Sequence, residues 1–204
     1  MTGRTGLGCL LVVTALISIR PALAQSDKAP AQDADMAAMM QEFHKWADPG
    51  AMHKHLEKLA GTWTVVMKMT MDPSAPPVES KGTCSSAFVI GGRWLRQEFK
   101  GEMMGMPYEG IGMIGYDNFR QEYVCTWADN MTTAMLRLTG TCNEAGTEFT
   151  LSGTMDQPMT GERDKKFRHV WKFTGTDTYT MDMYDTIPGK GEVMVMALEF
   201  TRVK

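Results

Sequence analysis

Residues 101–131 read GEMMGMPYEGIGMIGYDNFRQEYVCTWADNM. Two apolar runs flank a short polar one, which is the order of strand, tight turn and strand. Tyr108 to Tyr116 is the first strand, with Gly110 and Gly112 marking a bend or a close backbone approach. Asp117 and Asn118 make the turn, because short carboxylates and amides bond their own backbone and tolerate positive φ. Gln121 to Trp127 is the second strand.

The same rhythm runs outward in both directions. Upstream, Trp63, Val65, Met67, Met69 and Met71 alternate with Thr62, Thr64, Val66, Lys68 and Thr70, the period of a half-buried strand. Asp72 to Pro77 breaks it. Val78 to Ile90 and Arg93 to Lys100 are two more strands, with Gly91 and Gly92 turning between them. Downstream, strands are predicted over Thr133–Thr141, Thr147–Met155, Lys166–Thr174, Thr178–Tyr184 and Glu192–Val203, with Asp156 to Lys165 as a polar loop. The count is about ten strands with short connections and no helix between them. Consecutive antiparallel strands of that number close most simply into an all-β, up-and-down barrel. A β-sandwich is the alternative, and the lack of long crossovers counts against it.

Several motifs carry a family resemblance. They are MGMPYEGIG (104–112), GYDN (115–118), Tyr123 and TWADNM (126–131), with LAGTW (59–63) and GGRWL (91–95) upstream and QPMTG (157–161) and Thr201-Arg202 downstream. Together they resemble the bacterial exported family catalogued as domain of unknown function 1579, over Asp48 to Lys204. The resemblance implies no activity, because none is established for that family. Gly61-Thr62-Trp63 is also similar to the Gly-x-Trp start of lipocalin-like (calycin) barrels. By that likeness an arginine on the last strand packs over the tryptophan. Here Met194, Met196, Leu198, Phe200 and Arg202 alternate onto one face. Trp63 and Arg202 are therefore expected to close the barrel floor, in a structural role; a cation–π contact there is worth roughly 0.5–2 kcal/mol.

Met1 to Ala24 reads as a signal peptide. Arg4 gives a positive start, Leu7 to Ile19 is an apolar run too short for a comfortable membrane span, and Ala22-Leu23-Ala24 is a small-x-small cleavage site. An uncleaved anchor is the alternative. The expected product is exported, periplasmic or secreted. Residues 25–47 read as a linker and an amphipathic helix, on which Met36, Met39, Met40, Phe43 and Trp46 form a stripe. Residues 48–204 read as the barrel domain. Asp48 and Pro49 look like a cap and first residue of a second helix, with Met52, Leu56 and Leu59 as its apolar face. His44, His53 and His55 read as ordinary polar helix residues.

Loss of the leader would take the formal charge from −3 to about −5. An acidic chain has no basic surface to displace counterions, so nucleic acid is not expected as a partner. No other apolar run is long enough to span a bilayer. Cys84, Cys125 and Cys142 remain in the mature chain, none in a CxxC; export permits one disulfide among them. No Gly-x-Ser-x-Gly, HExxH or phosphate loop appears, so nothing names a catalytic residue.

A barrel of this size either fills with side chains or holds one small ligand. Ligand binding follows by fold-level analogy. Pocket residues are predicted at Met67, Met69, Tyr116, Trp127, His169 and Trp171. Twenty methionines, many paired two residues apart (Met67 and Met69, Met104 and Met106, Met181 and Met183, Met194 and Met196), suit an adaptable apolar pocket. Thioethers also suit copper(I), and an inward His169 among Phe167, Trp171 and Phe173 could hold haem iron. Tyr116, Asp117, Asn118, Trp127, Asp129 and Thr133 read either as a polar cluster at a barrel mouth or as turn chemistry. The reading is an exported barrel that binds a small apolar or amphipathic molecule in its cavity. Its rivals are a copper(I) or haem protein and a filled barrel with a protein partner.

Overall fold

The computed structural model describes residues 29–71, 75–187 and 189–204; the leader-like segment lies outside them. The chain divides into two units, 1–40 and 41–204. Of the first, the described part is the opening of helix α1 (Ala29–Ala47), where Met36, Met39 and Met40 are exposed. Phe43 and Trp46, which continue the stripe, belong to the second unit and are exposed as well. Trp46 meets Phe119 edge to face at 5.3 Å. No described helix is long and apolar enough to cross a membrane.

Helix α2 (Ala51–His55) and a 3-10 turn (Leu56–Leu59) follow. Their start corrects the sequence reading. The N-cap is Gly50, not Asp48, and its N–H donates to His53 Nδ1 at 3.0 Å. Asp48 is held elsewhere: its carboxylate takes His44 at 3.0 Å and Arg93 at 3.2 Å. His53, read as an ordinary polar helix residue, is buried and packs edge-on to Tyr116.

Ten strands follow: β1 (Gly61–Met69), β2 (Val78–Val89), β3 (Trp94–Met103), β4 (Met106–Asp117), β5 (Glu122–Asp129), β6 (Leu136–Cys142), β7 (Glu148–Gln157), β8 (Glu162–Phe173), β9 (Thr178–Ile187) and β10 (Gly191–Arg202). Each pairs antiparallel with its sequence neighbours, and β1 pairs with β10, so the sheet is a closed up-and-down barrel. Closure leaves no unpaired sheet edge. The alternation read from β1 holds at its start, where Trp63, Val65 and Met67 are buried and Thr62 and Thr64 exposed.

Three local readings change. The polar loop placed at 156–165 is a hairpin: β7 runs to Gln157, β8 starts at Glu162, and the turn carries Gly161 in the left-handed region. Strand ends that extend past the core have little apolar alternation to reveal them. A β-bulge between Met194 and Met196 moves Met194 into register with Tyr184, while Met196 pairs with Met183. Met194 therefore leaves the inward face, because one extra residue shifts the side-chain parity of a strand. Met104 sits in the β3–β4 turn with a φ of 54°, so Met104 and Met106 do not form a pair on one strand face.

The floor is built where β1 and β10 meet. Arg202 stands opposite Trp63 in register, and its Cζ lies 4.0 Å from the indole centroid. Its Nη1 donates to Ala60 O at 2.6 Å and its Nη2 to Lys58 O at 2.9 Å. Asp177 takes its Nε at 3.2 Å. Trp63 donates to Leu59 O at 3.0 Å and is fully buried with Leu56 and Leu59. A side chain at Gly61 would meet Arg202 Nη1 at 2.5 Å, and Gly61 has a φ of +124°, so glycine is needed on both counts. Replacing Arg202 by Met is expected to cost about 2–4 kcal/mol, since it strands two carbonyls and removes the cation–π contact. Gly61→Ala should destabilise in the same direction; urea unfolding of both variants checks this.

Candidate functional site: a cavity open at one end of the barrel

The floor seals one end of the barrel. At the other, the β3–β4 and β7–β8 turns and the β5–β6 loop surround a mouth. Between them lies a cavity of about 510 Å³. Its wall is mainly apolar. Seven methionines line it, among them Met67, Met103, Met155, Met181, Met183 and Met196. Met67 on β1 and Met181 and Met183 on β9 point inward by strand parity, as Phe167, His169 and Trp171 do on β8.

Of the predicted pocket residues, Met67, Trp127, His169 and Trp171 line this cavity. Met69 and Tyr116 do not. Met69 ends β1 at the rim and is only half-buried. Tyr116 lies at the floor end, where its ring packs on Tyr123 at 4.9 Å and on His53 at 6.0 Å. The polar cluster read around the central hairpin is likewise split. Asp117 makes a turn at the floor end, its Oδ1 accepting from Phe119 N and Arg120 N. Asn118 follows in the same turn, but its side chain bonds elsewhere. Its Nδ2 donates to Trp46 O at 3.1 Å and Asp48 O at 2.9 Å, satisfying carbonyls at the end of α1.

Trp127 and Asp129 are in the cavity wall, with a partner the sequence did not single out. Trp127 Nε1 donates to Tyr108 OH at 3.0 Å and to Asp129 Oδ2 at 3.1 Å; Tyr108 OH donates to the same Oδ2 at 3.1 Å. The indole lies flat over β4. A Cβ at Gly110 would come within 2.3 Å of it and one at Gly112 within 2.7 Å. The glycines in the opening stretch are thus the close approach that lets a tryptophan lie along the wall. Burial and the Asp129 charge push the Tyr108 hydroxyl's pKa well up, so it stays a donor.

Deeper, three buried polar side chains have no hydrogen-bond partner among the described residues. They are both ring nitrogens of His169, Trp171 Nε1 and Tyr179 OH. Each residue is at most 5% exposed. Tyr179 stacks on Phe200 at 4.1 Å and meets Trp63 edge-on at 4.8 Å, so its place is on the floor. It was missed in the sequence, although it stands two residues before Met181 on the same face of β9. Buried polar atoms nearly always have partners, so these three side chains call for an explanation.

Cys84, Cys125 and Cys142, the cysteines among the described residues, are free. Burial raises the Cys125 thiol to about 12 and Cys142 to about 11, and it raises Cys84 as well. None carries the depressed pKa of a reactive thiolate. Among the described residues no group of three or more His, Cys, Asp or Glu could hold a metal ion.

The family of proteins of unknown function DUF1579 matches residues 48–202. The chain belongs to this family. No curated protein matches the sequence. Among solved structures, the crystal structure of Rv2717c from M. tuberculosis is similar, with a TM-score of 0.59 and 17% identity over 77% of this chain and 100% of that one. At that identity the likeness extends to the fold alone. A redesigned beta barrel aligns over 76% of this chain and 100% of its own at 15% identity, with a TM-score of 0.39.

His169 gives this DUF1579 barrel a pH signature. Burial pushes its pKa from 6.5 down to about 4. The unfolded chain therefore binds the proton first, and stability is lost as pH falls from about 6.5 toward 4. Between pH 7 and 4 the wild type is expected to lose about 3 kcal/mol more than His169→Leu. Urea midpoints of both proteins across that range check it.

Proposed function

We propose that the protein binds one small apolar or amphipathic molecule inside its barrel. One observation carries the reading: a mostly apolar cavity of about 510 Å³ whose lining includes His169, Trp171 and Tyr179, three buried polar side chains without a partner among the described residues. That volume falls within the roughly 300–1,000 Å³ of small-molecule sites. It also speaks against the filled-barrel rival. The methionine wall favours an adaptable fit, since unbranched thioether side chains reshape around a ligand. A catalytic role lacks support, because the buried thiols are held protonated and His169 has no hydrogen-bond partner among the described residues.

Copper(I) or haem stays as the second reading because of His169. Both its nitrogens are unpartnered, and it stands in register beside Met183. We also propose, from the leader-like Met1 to Ala24, that the protein is exported and cleaved after Ala24.

A neutral apolar dye such as N-phenyl-1-naphthylamine is expected to bind one per chain. A Met67→Leu/Met183→Leu variant should keep dye affinity within about threefold, as volume-conserving apolar swaps do. Loss of copper(I) uptake in that variant, with no dye binding in the wild type, would favour the second reading. N-terminal sequencing of the exported protein should begin at Gln25.

A further inference from the structure

The cavity is graded along its axis. At the floor stand Trp171 Nε1 and Tyr179 OH, two hydroxyl or indole donors, with His169 next to them on β8. All three are unpartnered among the described residues and more than nine-tenths buried. The middle is methionine and leucine. The charged residues lining the cavity are Asp129, Asp156 and Asp164; no lysine or arginine lines it among the described residues. Asp129 caps the mouth end of β5, and Asp156 and Asp164 flank the β7–β8 turn.

Arg202, a cation at the floor, is committed elsewhere. It lies behind Trp63, donates to Ala60 O and Lys58 O, and is paired with Asp177. An anionic head at the floor would be desolvated with no counter-ion. An anionic head at the mouth would face the three aspartates. A purely apolar molecule would leave the floor donors unmade, at the cost that attends any buried unsatisfied polar group.

Building on the cavity reading above, we propose that the ligand is an uncharged amphipath that enters head first, its neutral oxygen acceptor (a hydroxyl, carbonyl or ester) taking hydrogen bonds from Tyr179 OH and Trp171 Nε1 at the floor. Its apolar tail lies along the methionine wall toward the mouth. His169 can serve such a head as donor or acceptor, since one ring nitrogen of the neutral imidazole carries a proton and the other does not.

Three probes separate the parts of this claim at pH 7: decanol, decanoate and headless naphthalene, each titrated by displacement of the neutral dye. Decanol is expected to bind at least about tenfold more tightly than decanoate, as one unpaired buried charge requires. Tyr179→Phe and Trp171→Phe should each weaken decanol by about three- to tenfold more than they weaken naphthalene, the worth of one neutral hydrogen bond. Naphthalene reads folding and cavity shape in each variant. Decanoate binding as well as decanol overturns the proposal, and so does equal loss of decanol and naphthalene in both variants. If none of the three probes binds the wild type, the cavity reading fails and takes this one with it.

Discussion

The guanidinium of Arg202 is the constraint on which the rest depends. It joins the last strand to the first through Trp63 and to the 3-10 turn through two carbonyls. An up-and-down barrel must bring its first and last strands together across almost the whole chain, and that closure is the costliest in loop entropy. A planar donor can stack on an indole and fork to two carbonyls at once, which a lysine ammonium cannot do. Gly61 clears the room for it, and the turn that supplies the carbonyls also drops Leu56 and Leu59 over the open end of the barrel.

Sealing one end decides where a ligand could go. The helical plug and the aromatic row of Trp63, Tyr179, Phe200, Phe149 and Tyr123 fill the floor. Above them the wall changes to thioethers and the packing opens. Two glycines on β4 let Trp127 lie along the wall instead of crossing the interior, and Tyr108 and Asp129 hold its ring nitrogen there. The same side chain would otherwise fill part of the space. The cavity thus follows from how the large residues are held against the wall, and it does not need small residues throughout.

Much of the architecture was legible in the sequence because period two is a strong signal wherever one face is buried. β1 and the inner half of β8 show it cleanly, and Gly61-Thr62-Trp63 with Arg202 marked the two residues that meet at the floor. The parts that were not legible have local causes. Strand ends beyond the core are polar on both faces, so the β7–β8 hairpin read as a loop. A bulge at Val195 leaves no sequence mark, yet it turns Met194 outward. Asp48 resembles a helix cap, but a distant Arg93 holds it. Tyr116 and Trp127 are close in sequence and share a face of one hairpin, yet lie toward opposite ends of the barrel, a matter of distance along the strand that parity alone does not report. Cavity volume is a property of packing in three dimensions, so no pattern in the chain could have given it.

The most direct test is native mass spectrometry of the protein purified from its own host, followed by addition of a neutral apolar probe to the same sample. The account predicts either a stoichiometric organic mass already bound and displaced by the probe, or a bare chain that takes up one probe molecule. A bare chain that takes up none, or one that carries only copper or haem iron, would contradict it.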